Sequence, residues 1–546
     1  MGNIKSLFKL KTYLKKYRIK LIIGILGTII SPLLAVPVPY MIGYIVDNVL
    51  IKTKNFKLFG STVIIILLLY IFSYLISMGA KVLISYCGNY LVNDISVSII
   101  KKIMDLPMNY MRKKEKGYMQ ERISECDSIA NIFSTAIISA IASVLTIIFT
   151  IIIMFRIDMI LSISTILLCP IFYLISKATT TGFAKSTYKK MESSAILNGE
   201  YFEIINGIEH VKIYGGKGIQ LSKVKNKIAE VTRSGYKQNK YMIFLTENIN
   251  ILNNIGTLLI LFLAGVLIFK GNFTVGLYTS FSIYSNKIFG CTQQLAATGI
   301  TLKPVCISIE RIFEILEMKG ESEINTTSLK EKITQIEFKN ICFKYGDDSS
   351  EILRNLNFTL HGGEKVLLSG ENGSGKTTVV KLLLQFYQPT SGKIVLNKCV
   401  DLNCVNCDSL REKIAIVSQD TFLFKGTVLD NILYGQIEKN KNDVKYLIKM
   451  LQLESYIDRL PDGLDTIIQN SEGISGGQAQ TIAFIRALLQ KKDVIILDEP
   501  LSNLDVKTKK IFTDILRIMD YPGILIVISH DVEGLEFINK NIKLVS

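Results

Sequence analysis

Val366-Leu367-Leu368-Ser369-Gly370-Glu371-Asn372-Gly373-Ser374-Gly375-Lys376-Thr377-Thr378 is the stretch on which the reading of this chain turns. Gly370–Thr377 fits G-x-x-x-x-G-K-[ST], with an aliphatic strand running into it and a helix expected to open near Thr377. That is the context in which such a loop cradles phosphates. Gly370, Gly373 and Gly375 let backbone N–H groups curl around the anion. The helix N-terminus adds favourable partial charge. Lys376 is placed to reach the β- and γ-phosphates and Thr377 to hold Mg²⁺. The expected ligands are therefore a nucleoside triphosphate and Mg²⁺.

Downstream, Val494-Ile495-Ile496-Leu497 reads as a fully buried strand ending in Asp498-Glu499. Carboxylates at the C-terminal end of a strand lie at the ligand edge of such a sheet. Asp498 suits Mg²⁺ through water, and Glu499 suits the group that orients an attacking water. Between the two motifs, Ile474-Ser475-Gly476-Gly477-Gln478 heads another helix. Ser475 is its N-cap candidate, and the glycines permit close backbone approach, so a second helix end suited to phosphate is expected. Two such sites, one without a lysine, make sense if one nucleotide is clamped between two copies of the chain.

Outward from this domain the composition changes. Residues 326–546 carry 27 Lys/Arg against 28 Asp/Glu, whereas residues 1–325 carry 36 against 19, so the whole excess behind the net +16 lies in the first part. A basic balance ordinarily suggests nucleic acid. Here it accompanies long apolar runs, and a near-neutral second part has no basic stripe, so no nucleic-acid partner is expected. Six stretches reach the roughly 20 apolar residues needed to cross a bilayer: 20–44, 59–80, 132–155, 157–176, 245–269 and 274–300. The third and fourth are separated only by Phe155-Arg156-Ile157-Asp158, read as a tight turn. Pro32, Pro37 and Pro39 are expected to kink the first.

Seven basic and no acidic residues in 1–20 place the N-terminus on the cytoplasmic side, with residues 81–131 (net +2) and 177–241 (net +7) as long inside loops. Their periodicity reads as helices that continue out of the bilayer, and their charge suits anionic lipid headgroups. Only about 20 residues precede the first apolar run, so no leader peptidase is expected ahead of it. Lys287 lies inside the sixth span, and Glu247, Asn250 and Asn254 share a face of the fifth. Intramembrane polar groups mark substrate pathways or structural pairs. Lys287, Asn250 and Asn254 are the cavity candidates, and Glu247 is placed at the headgroup level. Nine cysteines without a framework pattern read as reduced thiols. Cys399-x₄-Cys404-x₂-Cys407 lacks a clear fourth ligand for a metal. There is no tryptophan, which leaves tyrosine for the interfacial belt.

The second half resembles the nucleotide-binding domain of the ABC (ATP-binding cassette) superfamily, with its elements in family order. Tyr345 matches the aromatic residue that stacks on adenine, Gly370–Thr377 the Walker A loop, and Gln419 the Q-loop. Ile474–Gln478 is similar to the signature motif, with isoleucine in the first place. Asp498-Glu499 matches Walker B, Ser502-Asn503-Leu504-Asp505 the D-loop, and His530 the switch histidine. Thr481 stands where the family usually has arginine, and Ile467–Gly473 is about one residue short. The first half resembles the six-helix domain of ABC exporters in Gly117–Ile123, Glu203–Lys212 and Gly271–Gly276.

The resemblance implies a membrane α-helical bundle of six transmembrane helices with long cytoplasmic extensions, followed by an α/β P-loop NTPase domain. The expected boundaries are 1–316, a linker at 317–330, and 331–546. It implies catalytic roles for Glu499, His530 and Gln419. ATP contacts would come from Tyr345, Gly370, Asn372, Gly373, Ser374, Gly375, Lys376, Thr377, Thr378, Ser475, Gly476, Gly477 and Gln478. Mg²⁺ contacts would come from Thr377, Gln419 and Asp498. An intact catalytic set favours a homodimer. The expected activity is ATP-driven export by alternating access from a multi-pass protein of a bacterial cytoplasmic membrane, the Ile-, Lys- and Asn-rich composition suggesting a low-GC bacterium. The transported molecule would be a peptide, an amphipathic small molecule or a lipid. A soluble or DNA-associated ATPase and a membrane-bound sensor are the alternatives.

Overall fold

A computed structural model of the chain describes residues 4–113, 116–131, 137–324, 327–346, 350–371, 373–436, 440–469, 474–502, 504–530, 534–538 and 540–544. It divides into two compact units, Met1–Met104 with Lys113–Met318, and Asp105–Arg112 with Lys319–Ser546. In chain order the main helices of residues 1–318 are α1 (Arg18–Ala35), α2 (Phe56–Met104), α3 (Met108–Lys113, all but its last residue in the second unit), α4 (Lys116–Asn131), α5 (Ile137–Ile157), α6 (Met159–Asn206), α7 (Lys217–Phe269) and α8 (Val275–Leu316). Apart from Val36-Pro37, Asp158 and Thr274, the described parts of all six apolar stretches lie on helices, α1 with its continuation Val38–Tyr44, and α2, α5, α6, α7 and α8. Among the described residues, Ser6–Thr53, Phe56–Met104, Ala140–Ile157 and Lys217–Phe269 are long and apolar enough to cross a membrane. The 49 residues of α2 run for about 70 Å at roughly 1.5 Å per residue, over twice a hydrocarbon core of about 30 Å.

Three local features explain how the apolar runs are interrupted. α5 continues through Ile157, so the expected four-residue turn contracts to Asp158, whose side chain accepts the Leu161 N–H at 2.8 Å and caps α6. α1 gives way at Val36-Pro37, and the break is tied to α8: Tyr284 donates its hydroxyl to Val36 O at 2.6 Å, and Ser280 to Pro39 O at 2.9 Å. Gly43 and Gly276 let the backbones touch there, since a Cβ on Gly43 would lie 2.4 Å from Gly276 O. Asp47 then caps α8 from outside, accepting from the Gly276 N–H at 2.8 Å and from Thr274 Oγ1 at 2.5 Å. Irregular backbone among apolar helices persists only where other protein groups satisfy it.

On the extended part of the bundle, α4 carries a charged triad. Glu125 accepts from Arg122 Nη1 at 2.8 Å and from Arg311 Nη1 of α8 at 3.2 Å. Arg122 and Glu125 expose only 4% and 6% of their side chains. Burial pushes the Glu125 carboxyl up, against the opposing pull of Arg122 and Arg311. Removing one partner of a buried pair strands the other charge. Arg122→Met is therefore expected to destabilise the detergent-solubilised protein by about 3 kcal/mol, read as a lowered thermal midpoint. A loss below about 1 kcal/mol would mark the triad as energetically neutral.

The second unit is built on two sheets. β1 (Gln335–Phe343), β2 (Leu353–His361) and β4 (Ser391–Leu396) form the antiparallel sheet, in the order β2–β1–β4 with a short strand, Val400–Asp401, beyond β4. β3 (Lys365–Gly370), β5 (Ile414–Val417), β6 (Val494–Asp498), β7 (Ile524–Ile528) and β8 (Lys540–Leu544) form a parallel sheet ordered β8–β3–β7–β6–β5. Every residue of β6 and β7 is buried, as expected of parallel strands covered on both faces. The covering helices include α9 (Lys376–Leu383), α10 (Gly476–Gln490) and α11 (Val506–Ile518). β3, β6 and β7 are neighbours, so their C-terminal ends bring the loops after Ser369, Leu497 and Ile528 to one edge.

Candidate functional site

β3 leads straight into the glycine-rich loop. Gly370, Gly373 and Gly375 have φ of 155°, 88° and 93°, backbone that side-chain-bearing residues rarely adopt. A Cβ on Gly375 would also fall 2.6 Å from Leu353 Cδ2. Lys376 folds its ammonium back over the loop, donating to Gly370 O at 2.6 Å and Glu371 O at 3.0 Å. Ser374 Oγ is buried without a hydrogen-bond partner among the described residues. A buried orphan hydroxyl beside a buried ammonium fits a phosphate group, which would accept from both. Thr377 stands exposed at the start of α9, while Thr378 is buried and shares a hydrogen bond of 3.2 Å with the Tyr345 hydroxyl. Asn372 lies outside the described residues.

Tyr345 is held edge-on by Phe343 and Tyr387, at 5.0 and 5.1 Å between ring centroids. Arg112, at the end of the short segment packed into this unit, stands 5.0 Å over the Tyr345 ring and donates to the Tyr387 hydroxyl at 3.3 Å. The same segment is anchored by Asp105, whose carbonyl accepts the Glu321 N–H at 2.7 Å. Nothing local in Asp105–Arg112 announces that it packs beside the aromatic pair.

At the neighbouring strand ends, three residues far apart in sequence converge. Gln419 Nε2 donates to Glu499 Oε2 at 3.0 Å, and His530 Nδ1 lies 2.9 Å from Glu499 Oε1. Glu499 itself is in the left-handed region at φ 50°. Asp498 beside it is 7% exposed, and burial together with the Glu499 charge pushes its carboxyl up to about 6, with Lys376 and Lys381 pulling the other way. A buried acid of this kind suits a divalent cation, which would replace the lost solvation.

The Ser475 element forms as expected. Ser475 caps α10 in a reciprocal box with Gln478, the Gln478 N–H reaching Ser475 Oγ at 3.3 Å and the Ser475 N–H reaching Gln478 Oε1 at 2.9 Å. Ser475 and Gly476 are exposed at the helix end, with Gly477 buried behind them. Thr481 is fully buried and returns its hydroxyl to Gly477 O at 2.8 Å, closing locally the place where a longer side chain would reach further. Residues 470–473 and Asn503 lie outside the described residues.

The cavity candidates separate. Lys287 is half-buried on α8, one turn before Cys291, whereas Asn250 and Asn254 are exposed on α7. A cavity of about 370 Å³ opens among α1, α2, α5 and α8, lined by Thr28, Ser31, Ser77, Lys81, Ser143, Thr146, Cys291 and Gln294 with small neighbours. Neither asparagine is among its lining residues. Glu247 is exposed on α7. Cys407 is buried and donates to Gln385 Oε1 at 2.8 Å, while Cys399 and Cys404 are exposed. Among the described residues no group of three or more His, Cys, Asp or Glu could hold a metal ion.

Residues 21–292 match the family of the ABC transporter transmembrane region, and residues 353–502 match the ABC transporter family. An uncharacterized ABC transporter ATP-binding protein of Bacillus subtilis, YfiC, is 28% identical over 97% of this chain and 88% of its own length. The transport/processing ATP-binding protein ComA of Streptococcus pneumoniae is 28% identical over 93% and 70%. A fatty acid ABC transporter ATP-binding/permease protein of Mycobacterium bovis is 27% identical over 79% and 68%. In fold the chain is similar to a bacterial Atm1-family ABC exporter with ATP bound, with a TM-score of 0.87 covering 97% of this chain and 94% of that one at 21% identity. With both halves matched in one polypeptide, the chain belongs to the ABC transporter family, as an exporter-type fusion of transmembrane region and ATP-binding cassette whose ATP hydrolysis is coupled to transport.

Proposed function

We propose that the chain works as a homodimer in a bacterial cytoplasmic membrane, N-terminus and cassette on the cytoplasmic side, and exports an anion-bearing amphipathic molecule or peptide. The observation that carries the catalytic part is the convergence of Gln419 and His530 on the two oxygens of Glu499. Glu499 then has one defined aim, and its role is to orient the attacking water. Tyr345 stacks on the base, the Gly370–Thr378 loop binds the phosphates, and Lys376 turns its ammonium from the loop carbonyls to them. Ser475, Gly476, Gly477 and Gln478 of the second copy close over the same nucleotide. Thr377, Gln419 and Asp498 would hold Mg²⁺, which neutralises charge on the phosphates when bound. His530, 2.9 Å from Glu499 Oε1, would contact the terminal phosphate.

The substrate reading rests on the cavity among the membrane helices. Its described lining holds hydroxyls, an amide and the Lys81 ammonium but no carboxylate, and Lys287 sits one turn from its wall. A cation in a low-dielectric wall selects for negative charge. The transport and processing in ComA's name, and the fatty acid in the mycobacterial relative's, are both compatible with a carboxylate-bearing cargo. In inside-out proteoliposomes, a fluorescent peptide with a free C-terminal carboxylate is expected to accumulate with ATP several-fold more than its amidated twin. Lys81→Ala is expected to erase that difference. Equal uptake of the two peptides by the unmodified protein would sink the anionic-substrate reading. Intact ATPase without ATP-dependent uptake of any peptide or lipid probe would favour a sensor.

A further inference from the structure

Glu499 is held in a backbone conformation that costs a non-glycine residue free energy and persists only where its surroundings fix it. Three residues do so. The Glu499 N–H donates to Ile528 O at 2.9 Å, and the Glu499 carbonyl accepts from Ser502 Oγ at 3.0 Å, from the Ser502 N–H at 3.3 Å and from Gln480 Nε2 at 2.8 Å. Ile528 and Ser502 belong to β7 and to the turn that follows Glu499. Gln480 belongs to neither. It lies on α10, in the turn that follows Gly476-Gly477, with 1% of its surface exposed. Its Oε1 is buried without a hydrogen-bond partner among the described residues, so there the amide acts through its nitrogen alone.

We propose that Gln480 is a positioning residue, the side-chain link among the described residues between the Ser475 helix end and the backbone of Glu499. The inference rests on the ATPase reading given above and extends it. α10 is a stiff lever at this point. Its first turn is closed by the Ser475–Gln478 box, and Ile482, Phe484 and Ile485 are buried immediately beyond. A displacement of Ser475 and Gly476 therefore travels to residue 480 within little more than one turn. There it acts on a carbonyl whose own residue sits at an unfavourable φ, where a small change of support re-aims the carboxylate. In a dimer, Ser475 and Gly476 of one copy meet the nucleotide held by the other. Gln480 then makes each copy's Glu499 responsive to whether the opposite nucleotide has been engaged. This is coupling through one named hydrogen bond rather than through a diffuse network.

The test uses the full-length protein in nanodiscs and the variant Gln480→Met, which keeps the volume and length of the side chain and removes the donor. A displacement of order 1 Å at a reacting group costs about a hundredfold. The expected result is a roughly 10- to 100-fold fall in kcat, with the Kd for fluorescent MgATP within twofold of the parent and weaker cooperativity in ATP. A kcat within twofold of the parent overturns the proposal. So does a parallel loss of kcat and ATP binding, which would make Gln480 a packing residue. If the methionine variant does not fold, Gln480→Asn, which keeps the amide but shortens its reach by one methylene, is read by the same criteria. Glu499→Gln is run alongside. If that variant turns over normally, the ATPase reading has failed, whereas its inactivity beside an unaffected Gln480→Met condemns this inference alone.

Discussion

Glu499→Gln is expected to lower ATP turnover by roughly 10²- to 10⁴-fold, the range for loss of a positioned general base, while ATP binding survives. The geometry explains both halves of the outcome. The side chain is 12% exposed, and each of its oxygens is already engaged, one by Gln419 Nε2 and the other by His530 Nδ1. Glutamine fills the same volume, so the phosphate loop and the cap at Ser475 are left as they were. It replaces one accepting oxygen with a donating nitrogen and removes the negative charge. The amide cannot take a proton from water, and it cannot accept from Gln419 and His530 together. Phosphate release from reconstituted protein gives the first quantity and fluorescent-nucleotide titration the second. Turnover within threefold of the parent would remove Glu499 from the chemistry, and a simultaneous loss of binding would make it a structural residue.

How much of this was legible in the sequence depended on whether the signal was local. The glycines at 370, 373 and 375 could be read because a positive φ can be inferred at a motif with a known turn, and all three have it. The Ser475–Gln478 box was half read, since Ser475 announces a cap at i and Gln478 answers at i+3. The apolar runs located the helices but not their lengths. α2, α6 and α7 run to 49, 48 and 53 residues because they leave an apolar surrounding for an aqueous one midway. No single period then describes the whole helix. The proline break showed in sequence, yet its partners, Ser280 and Tyr284, stand some 240 residues away.

The same distance in sequence hides the most informative contacts. Gln419, Glu499 and His530 carry separate labels in a motif reading, and only the adjacency of β6 and β7, with Gln419 following β5, turns them into one hydrogen-bonded group. The packing of Arg112 beside Tyr345 and of Gln480 beneath Glu499 has no local sequence signal. An arginine after a run of polar residues and a glutamine on an amphipathic helix are ordinary surface expectations. Only burial distinguishes Gln480, and burial is a property of the fold. The cavity at Lys81 was missed for a related reason. The lysine closes an apolar run and reads as a snorkelling end residue, and the hydroxyls that share its cavity are spread over three helices.

Lys376→Ala is expected to weaken MgATP binding roughly 10- to 100-fold, as loss of a charge-assisted hydrogen bond worth about 1.5–3 kcal/mol implies, and to remove turnover with it. Lys376 is 8% exposed as a residue, and its ammonium bridges Gly370 O and Glu371 O, at 2.6 and 3.0 Å. It is therefore already desolvated at the place where phosphate charge is to be met, and its exchange from carbonyls to phosphate leaves neither state with an unpaired cation. Alanine loses both functions. The two carbonyls lose their donor, and the phosphates lose the nearest positive charge. The substitution also reaches Asp498, whose carboxyl stands at about 6 with Lys376 among the charges that hold it down. Without that cation the carboxyl rises further, so at neutral pH a larger fraction is protonated and unable to hold a divalent ion. Arginine is not expected to rescue. Its planar, longer fork cannot occupy the space between the loop carbonyls that a single ammonium fills. Nucleotide titration of both variants at fixed Mg²⁺ decides the matter: affinity within threefold of the parent in Lys376→Ala would place the phosphate charge elsewhere, and full activity in Lys376→Arg would show that the loop reads charge alone and not its shape.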